Sequence, residues 1–280
     1  MREAEDVGGV SVGGQNVNNI SYADNTVLIA DSEEKLQSML QEVNRASEEK
    51  GLNINVAKTE CMVMTKGQEQ VSCELNIGDR RIKQVDQFCY LGSWITSNVR
   101  CDREIKYRIG EAKRAFNEMK SLLKNRNLSL QCRKRMVKTY VWSVLLYGCE
   151  TWTISKMMEK RLETAEMWMW RRVLSVSWTE RVTNERILER MDQERELLKT
   201  IRRRQLQFLG HVLRGEGLES LCLTGKIEGR RARGRQREKY MNGIRRVTGG
   251  ERTAAELLQM ARNRQEWKSM IANVLRDTAH

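Results

Sequence analysis

The chain contains no proline. Proline normally punctuates loops and blocks strand edges, so its complete absence fits a mostly helical chain. Histidine is almost missing too, with His211 and His280 the only two, and none of the seven cysteines forms a Cys-x-x-Cys pair. A zinc knuckle therefore has poor support. Cys61, Cys73, Cys89, Cys101, Cys132, Cys149 and Cys222 are odd in number and scattered. They read as reduced, mostly buried structural thiols of a nuclear or cytoplasmic protein. No apolar run reaches the roughly 18 residues of a membrane span, and Met1–Asp6 lacks the apolar stretch of a secretory signal. The glycines of residues 8–14 are followed by no Gly-Lys-Ser/Thr, which excludes a phosphate loop there. No internal repeat is visible.

What is present is a chain of 280 residues, 40% hydrophobic and 31% charged, enough for one large domain or two ordinary ones. Its net charge of +13 is unevenly spread. Residues 1–100 hold 10 Lys and Arg against 15 Asp and Glu, a net of −5, whereas the remaining 180 hold 40 against 22, a net of +18. An acidic front and a basic back suggest two jobs, with the back attracting phosphate backbone in a salt-dependent way.

Residues 18–30 carry the most informative pattern. Two apolar arms, Asn18–Ser21 and Thr26–Ala30, flank Tyr22-Ala23-Asp24-Asn25, a strong hairpin signal with an Asp-Asn turn. An acid on such a tip is held on rigid backbone, as metal-assisted phosphoryl transfer requires. Asp31 and Glu34 then suggest a capping box for a helix carrying Leu36, Met39, Leu40, Val43 and Ala46, stopped by Gly51. Short strands are expected at 53–56, 61–64, 74–77 and 87–92. After Asp102 the periodicity turns helical, with further helices at about 156–175, 193–213 and 253–276. Residues 225–239 alternate basic residues with glycines and cannot build a core, so an extended arm is expected. From 200 to 246 there are 13 basic and 4 acidic residues, a net of +9.

Together these residues carry a likeness. Tyr22-Ala23-Asp24-Asn25 resembles the Tyr-Ala-Asp-Asp box of reverse transcriptases. The stretch Gly51-Leu52-Asn53-Ile54-Asn55-Val56-Ala57-Lys58-Thr59 resembles the next palm box, and Tyr90-Leu91-Gly92-Ser93-Trp94-Ile95 the primer grip. Tyr147-Gly148-Cys149-Glu150-Thr151-Trp152, Leu209-Gly210-His211-Val212 and the run from Gly229 to Arg237 resemble the C-terminal stretch of non-LTR (LINE-type) retrotransposon proteins.

The resemblance implies an α+β fold: a partial palm over 1–96 (a short antiparallel sheet with a helix), then a helical thumb-like segment over 97–152. A helical, basic C-terminal region follows over 153–280, with its arm at about 225–239. It implies RNA-directed DNA synthesis with Mg²⁺ on an RNA and DNA template-primer as the parent activity. Asp24 matches the metal-binding acid, and Asn25 stands where the family usually has a second Asp. Lys58 matches the lysine near the departing pyrophosphate, and Tyr90, Leu91 and Gly92 match the primer grip. Arg202, Arg203 and Arg204 are expected to meet nucleic acid, as are Lys226, Arg230, Arg231, Arg233, Arg235 and Arg237. The basic face of the first long helix, from Arg103 to Arg126 and including Arg108 and Lys113, would track duplex phosphates. A further metal-binding Asp and a nucleotide-positioning box would lie before residue 1. The expectation is a fragment or degenerate copy, unable to polymerise alone and binding Mg²⁺ weakly or not at all. The alternative is a non-catalytic RNA- or DNA-binding protein that uses its basic C-terminal region.

Overall fold

The computed structural model describes residues 8–65, 71–224, 240–250 and 253–277. They fall into two units, one built on residues before Arg100 and joined by residues 215–224, the other on residues 100–214 and those from 240 onward.

The first unit holds short strands and one long helix: β1 (Val10–Val12), β2 (Gln15–Val17), β3 (Asn19–Tyr22), β4 (Asn25–Leu28), α1 (Glu33–Glu48), β5 (Glu60–Cys61), β6 (Asn76–Ile77), β7 (Arg80–Arg81), β8 (Lys83–Gln84), β9 (Gln87–Tyr90) and β10 (Ser93–Thr96). The described strands make five two-stranded pairs. β1–β2, β3–β4, β6–β7 and β9–β10 are antiparallel, and β5–β8 is parallel. Helix α1 forms where the apolar spacing predicts it and buries Met39 and Leu40. Its cap is Ser32, which accepts from the Lys35 amide, not Asp31, whose carboxylate instead pairs with the Lys35 ammonium at 2.9 Å. Leu40, Cys61, Cys73, Leu75 and Ile82 form the small core, with Leu28, Leu36 and Ile54 packed on it. The strand expected at 53–56 does not form. The Asn55 side chain accepts from the Lys58 amide and winds Val56–Lys58 into a single helical turn instead.

The second unit is helical. It contains α2 (Asp102–Glu118), α3 (Lys120–Leu123), α4 (Leu130–Met136), α5 (Trp142–Leu145), α6 (Lys156–Val173), α7 (Asn184–Met191) and α8 (Leu197–Arg214). α9 (Leu218–Thr224) groups with the first unit, and α10 (Tyr240–Val247), α11 (Ala254–Arg262) and α12 (Arg264–Asp277) complete the second. α4 and α5 are joined through a π-helical turn, Val137–Val141. Ser129, Ser155 and Thr183 cap α4, α6 and α7, and Thr253 with Glu256 forms a capping box on α11. One core runs from Ile105 through Phe116, Leu145, Trp152 and Trp170 to Ile201. The expected division between 152 and 153 therefore has no counterpart in the packing, because residues on both sides bury against one another. No helix among the described residues is long and apolar enough to cross a membrane.

Buried and half-buried cations finish several helices. Arg133 donates to the Val173 carbonyl at 2.8 Å, and Lys134 to those of Met191 and Asp192 at 2.6 and 3.1 Å. Arg214 does the same for Ala261 at 2.9 Å. The last carbonyls of a helix have no partner within it, and a positive charge suits that end of the dipole. Part of the basic excess of this unit is thus spent on its own folding.

The thiols are all free, but not all buried: Cys61, Cys73 and Cys149 are, whereas Cys89, Cys132 and Cys222 are exposed.

Candidate functional site

The β3–β4 hairpin pairs Asn19 with Leu28, Ile20 with Val27, Ser21 with Thr26 and Tyr22 with Asn25. The turn is therefore Ala23-Asp24, one residue earlier than the Asp-Asn turn expected from sequence, and Asn25 is the first residue of β4. Ala23 has φ +53, so the first of the two turn residues sits where such hairpins prefer glycine. An L-residue there costs about 1–2 kcal/mol, strain that holds the tip in one shape. Ala23→Gly should raise the stability of the first unit by about 1 kcal/mol in urea titration, with the gain in turn geometry partly offset by unfolded-chain entropy. A loss of stability would show that the positive φ is not strained.

Asp24 and Asn25 are both exposed on this tip, and Tyr22 beside them is 64% exposed. Among the described residues the Asp24 carboxylate has no ion pair, and no three Asp, Glu, His or Cys side chains gather into a metal-holding group. A two-metal centre needs several carboxylates around one point. One carboxylate beside an amide is a donor set that does not fit a Mg²⁺ pair.

Lys58 is exposed at the end of its helical turn, with its amide held by Asn55. Tyr90 ends β9, and Leu91 and Gly92 form the two-residue turn to β10, with φ +47 and +79. Positive φ at both positions is the turn that matches strand twist, natural for Gly92 and strained for Leu91. The Tyr90 hydroxyl is enclosed without a hydrogen-bond partner among the described residues. These residues share one unit with Asp24, and Asp24 and Asn25 are the two that the turn brings side by side.

The basic residues divide. Arg202 pairs with Glu159 at 3.2 Å and Arg204 with Glu150 at 2.6 Å, so helix α8 uses both to hold its neighbours, while Arg203 is exposed. Arg108 is not on a phosphate-tracking face. It is buried, paired with Glu104 at 2.6 Å, with its guanidinium 4.4 Å above the Tyr147 ring. Lys226, Arg230, Arg231, Arg233, Arg235 and Arg237 lie outside the described residues.

The sequence also gave no sign of how the stretch Tyr147–Trp152 works. Gly148 has φ +67, Cys149 and Trp152 are buried, and Gln205 donates to the carbonyls of both at 3.1 and 2.8 Å. Tyr240 donates its hydroxyl to the Glu150 carbonyl at 2.9 Å. Burial pushes the Cys149 thiol up to about 12 and raises the Tyr240 hydroxyl as well, so both stay protonated. This stretch is a packing hub.

Residues 5–95 match the family described as reverse transcriptase (RNA-dependent DNA polymerase). That segment is similar to reverse-transcriptase sequence. The match takes in the strained hairpin, the Asn55–Lys58 turn and most of the β9–β10 hairpin, so the reverse-transcriptase likeness coincides with the first unit. The chain is also 28% identical to a Caenorhabditis elegans protein described as transposon-derived, over 93% of this chain and 97% of that one. No solved structure matches. The likeness to that transposon-derived relative runs past residue 95 into the helical unit.

Proposed function

We propose that this chain is a non-LTR retrotransposon-derived reverse-transcriptase relative that holds nucleic acid but does not polymerise on its own. In this reading the first unit is a palm remnant and the second a thumb and basic tail. The observation that carries it is the tip of the β3–β4 hairpin, where reverse-transcriptase sequence presents one carboxylate, Asp24, next to the uncharged Asn25. Losing one full negative charge leaves too little to strip water from Mg²⁺. The transposon-derived relative, aligned over nearly the full length of both chains, supports the mobile-element origin of the helical unit. The net charge of +18 in residues 101–280 supports retained affinity for phosphate backbone.

Primer extension tests it. The purified chain, given a primed RNA template, deoxynucleotides and Mg²⁺ or Mn²⁺, should extend no primer above background. Asn25→Asp should be equally silent, because two-metal chemistry needs more carboxylates than this hairpin holds. Extension by the unaltered chain overturns the reading. Extension by Asn25→Asp alone would show that the amide is the single lesion.

A further inference from the structure

We infer that the second unit grips nucleic-acid backbone on the α2–α6 face, through Lys113 and Arg172 around Trp168, and not through Arg202 and Arg204 of α8. This rests on the nucleic-acid-holding reading above and assigns it a place.

Three side chains from two helices make the site. Trp168 of α6 meets Phe116 of α2 edge-on, with ring centroids 5.2 Å apart. The Arg172 guanidinium stands 4.2 Å above the indole, and the Lys113 ammonium 5.4 Å from its centre. The indole face attracts each cation. Two like charges gathered on one ring still repel, and among the described residues neither has an ion pair with Asp or Glu. Several other cations of the unit are already paired: Arg114 with Glu111, Arg202 and Arg246 with Glu159, Arg204 with Glu150. Each of those must give up a carboxylate before it can take a phosphate. Lys113 and Arg172 need give up nothing.

The geometry selects the ligand. With cations over the indole, the ring is not free to stack a base, so the recognised group is an anion. A guanidinium held at an aromatic ring has five N–H donors, enough to serve a phosphate as well. All three side chains are half-buried, which restricts them before any ligand arrives and lowers the ordering cost. Lys106, exposed and also without an ion pair among the described residues, stands seven residues before Lys113 on α2. Seven residues are almost two turns, so it lies on the same face about 10.5 Å away. Such a row suits a polyanion better than one free phosphate. A cation in the last turn of α6 is also favoured by the helix dipole, which accounts for Arg172 but not for Lys113.

The test is fluorescence anisotropy of the full chain with a short labelled RNA–DNA hybrid over a series of KCl concentrations. The Lys113→Gln/Arg172→Gln double variant should bind about tenfold more weakly at low salt, with a salt slope lower by about 1.5–2, as for two lost phosphate contacts. Lys113→Arg/Arg172→Lys, which keeps both charges, should keep the salt slope of the unaltered chain, and a peptide nucleic acid of the same sequence should not bind. The inference is overturned by an unchanged affinity and slope in the double Gln variant, by equal loss in the charge-keeping variant, or by tight binding of the uncharged backbone. A larger fall in slope for Arg202→Gln/Arg204→Gln overturns it as well. If the unaltered chain binds no nucleic acid even at low salt, the proposed function itself fails.

Discussion

Gly210→Ala is expected to lower the melting temperature of the helical unit by about 10 °C, corresponding to roughly 3–4 kcal/mol. In an exposed helix the same change is stabilising by about 1 kcal/mol, because alanine is the better helix former. Here the sign reverses. A Cβ on Gly210 would lie 2.6 Å from Trp267 Cδ1 and 2.8 Å from Cε2, and closer still to Nε1. The indole lies directly on the backbone of α8, where its N–H donates to the Leu206 carbonyl at 2.9 Å. Gly210 and Trp267 are both buried, so the ring has no easy retreat. Alanine must push it off α8, which breaks that hydrogen bond and loosens the contact of α11 and α12 with α8. Gly110→Ala in α2 is the internal control. A Cβ there meets nothing within 4 Å, so a gain of about 1 kcal/mol is expected. Thermal melts of both variants decide the matter. If Gly210→Ala melts with the unaltered chain, the close approach of Trp267 is wrong. A Gly210→Ala/Trp267→Leu double variant should cost less than the sum of its parts, since the smaller side chain makes room for the methyl.

Much of this was legible in the sequence, and the failures have physical causes. The hairpin at residues 19–28 is legible from its two apolar arms and the short turn between them, and α1, α2, α6 and α8 from apolar spacing, because those signals are local. The turn was misplaced by one residue because Asp and Asn are the usual carriers of unusual backbone angles, whereas here the positive φ falls on Ala23. Asp31 looked like a cap, but Ser32 took that place and left Asp31 to Lys35. What stayed hidden was long-range and polar. Periodicity counts every Lys, Arg and Glu as surface, so it could not show Lys134 closing α7 or Arg108 buried against Glu104. Net charge likewise overstated the free cations of α8, since only coordinates reveal which arginines have carboxylate partners. The motif Leu209-Gly210-His211-Val212 carries a family likeness, yet the reason for its glycine is an indole 57 residues away in sequence, at Trp267.

Glu166 shows the same blindness with the larger energetic consequence. It is a charged residue inside α6, 1% exposed, and one of its oxygens accepts from the Glu196 and Leu197 amides at 2.9 and 3.2 Å and from Trp170 Nε1 at 3.4 Å. It thus caps the start of α8 from a neighbouring helix, where amides are otherwise unsatisfied. Glu166→Ala would strand two amides and an indole N–H in the core, and should cost about 3–5 kcal/mol in a urea or thermal melt. Glu166→Gln keeps an acceptor oxygen of the same shape and should cost far less at neutral pH.

The pair of variants also separates the charge from the hydrogen bonds. Burial raises the Glu166 carboxyl above its ordinary 4.5, and the amide hydrogen bonds only partly oppose this. The folded state therefore holds the proton more firmly than the unfolded chain does. That contribution is fully present below the unfolded value and is lost as pH rises through the folded one. The stability of the unaltered chain minus that of Glu166→Gln should accordingly fall as pH rises from about 4.5, by at most about 1.4 kcal/mol per unit, and then level off. A difference that grows with pH over that window would mean that the amides at the start of α8 hold the carboxylate more strongly than burial opposes it.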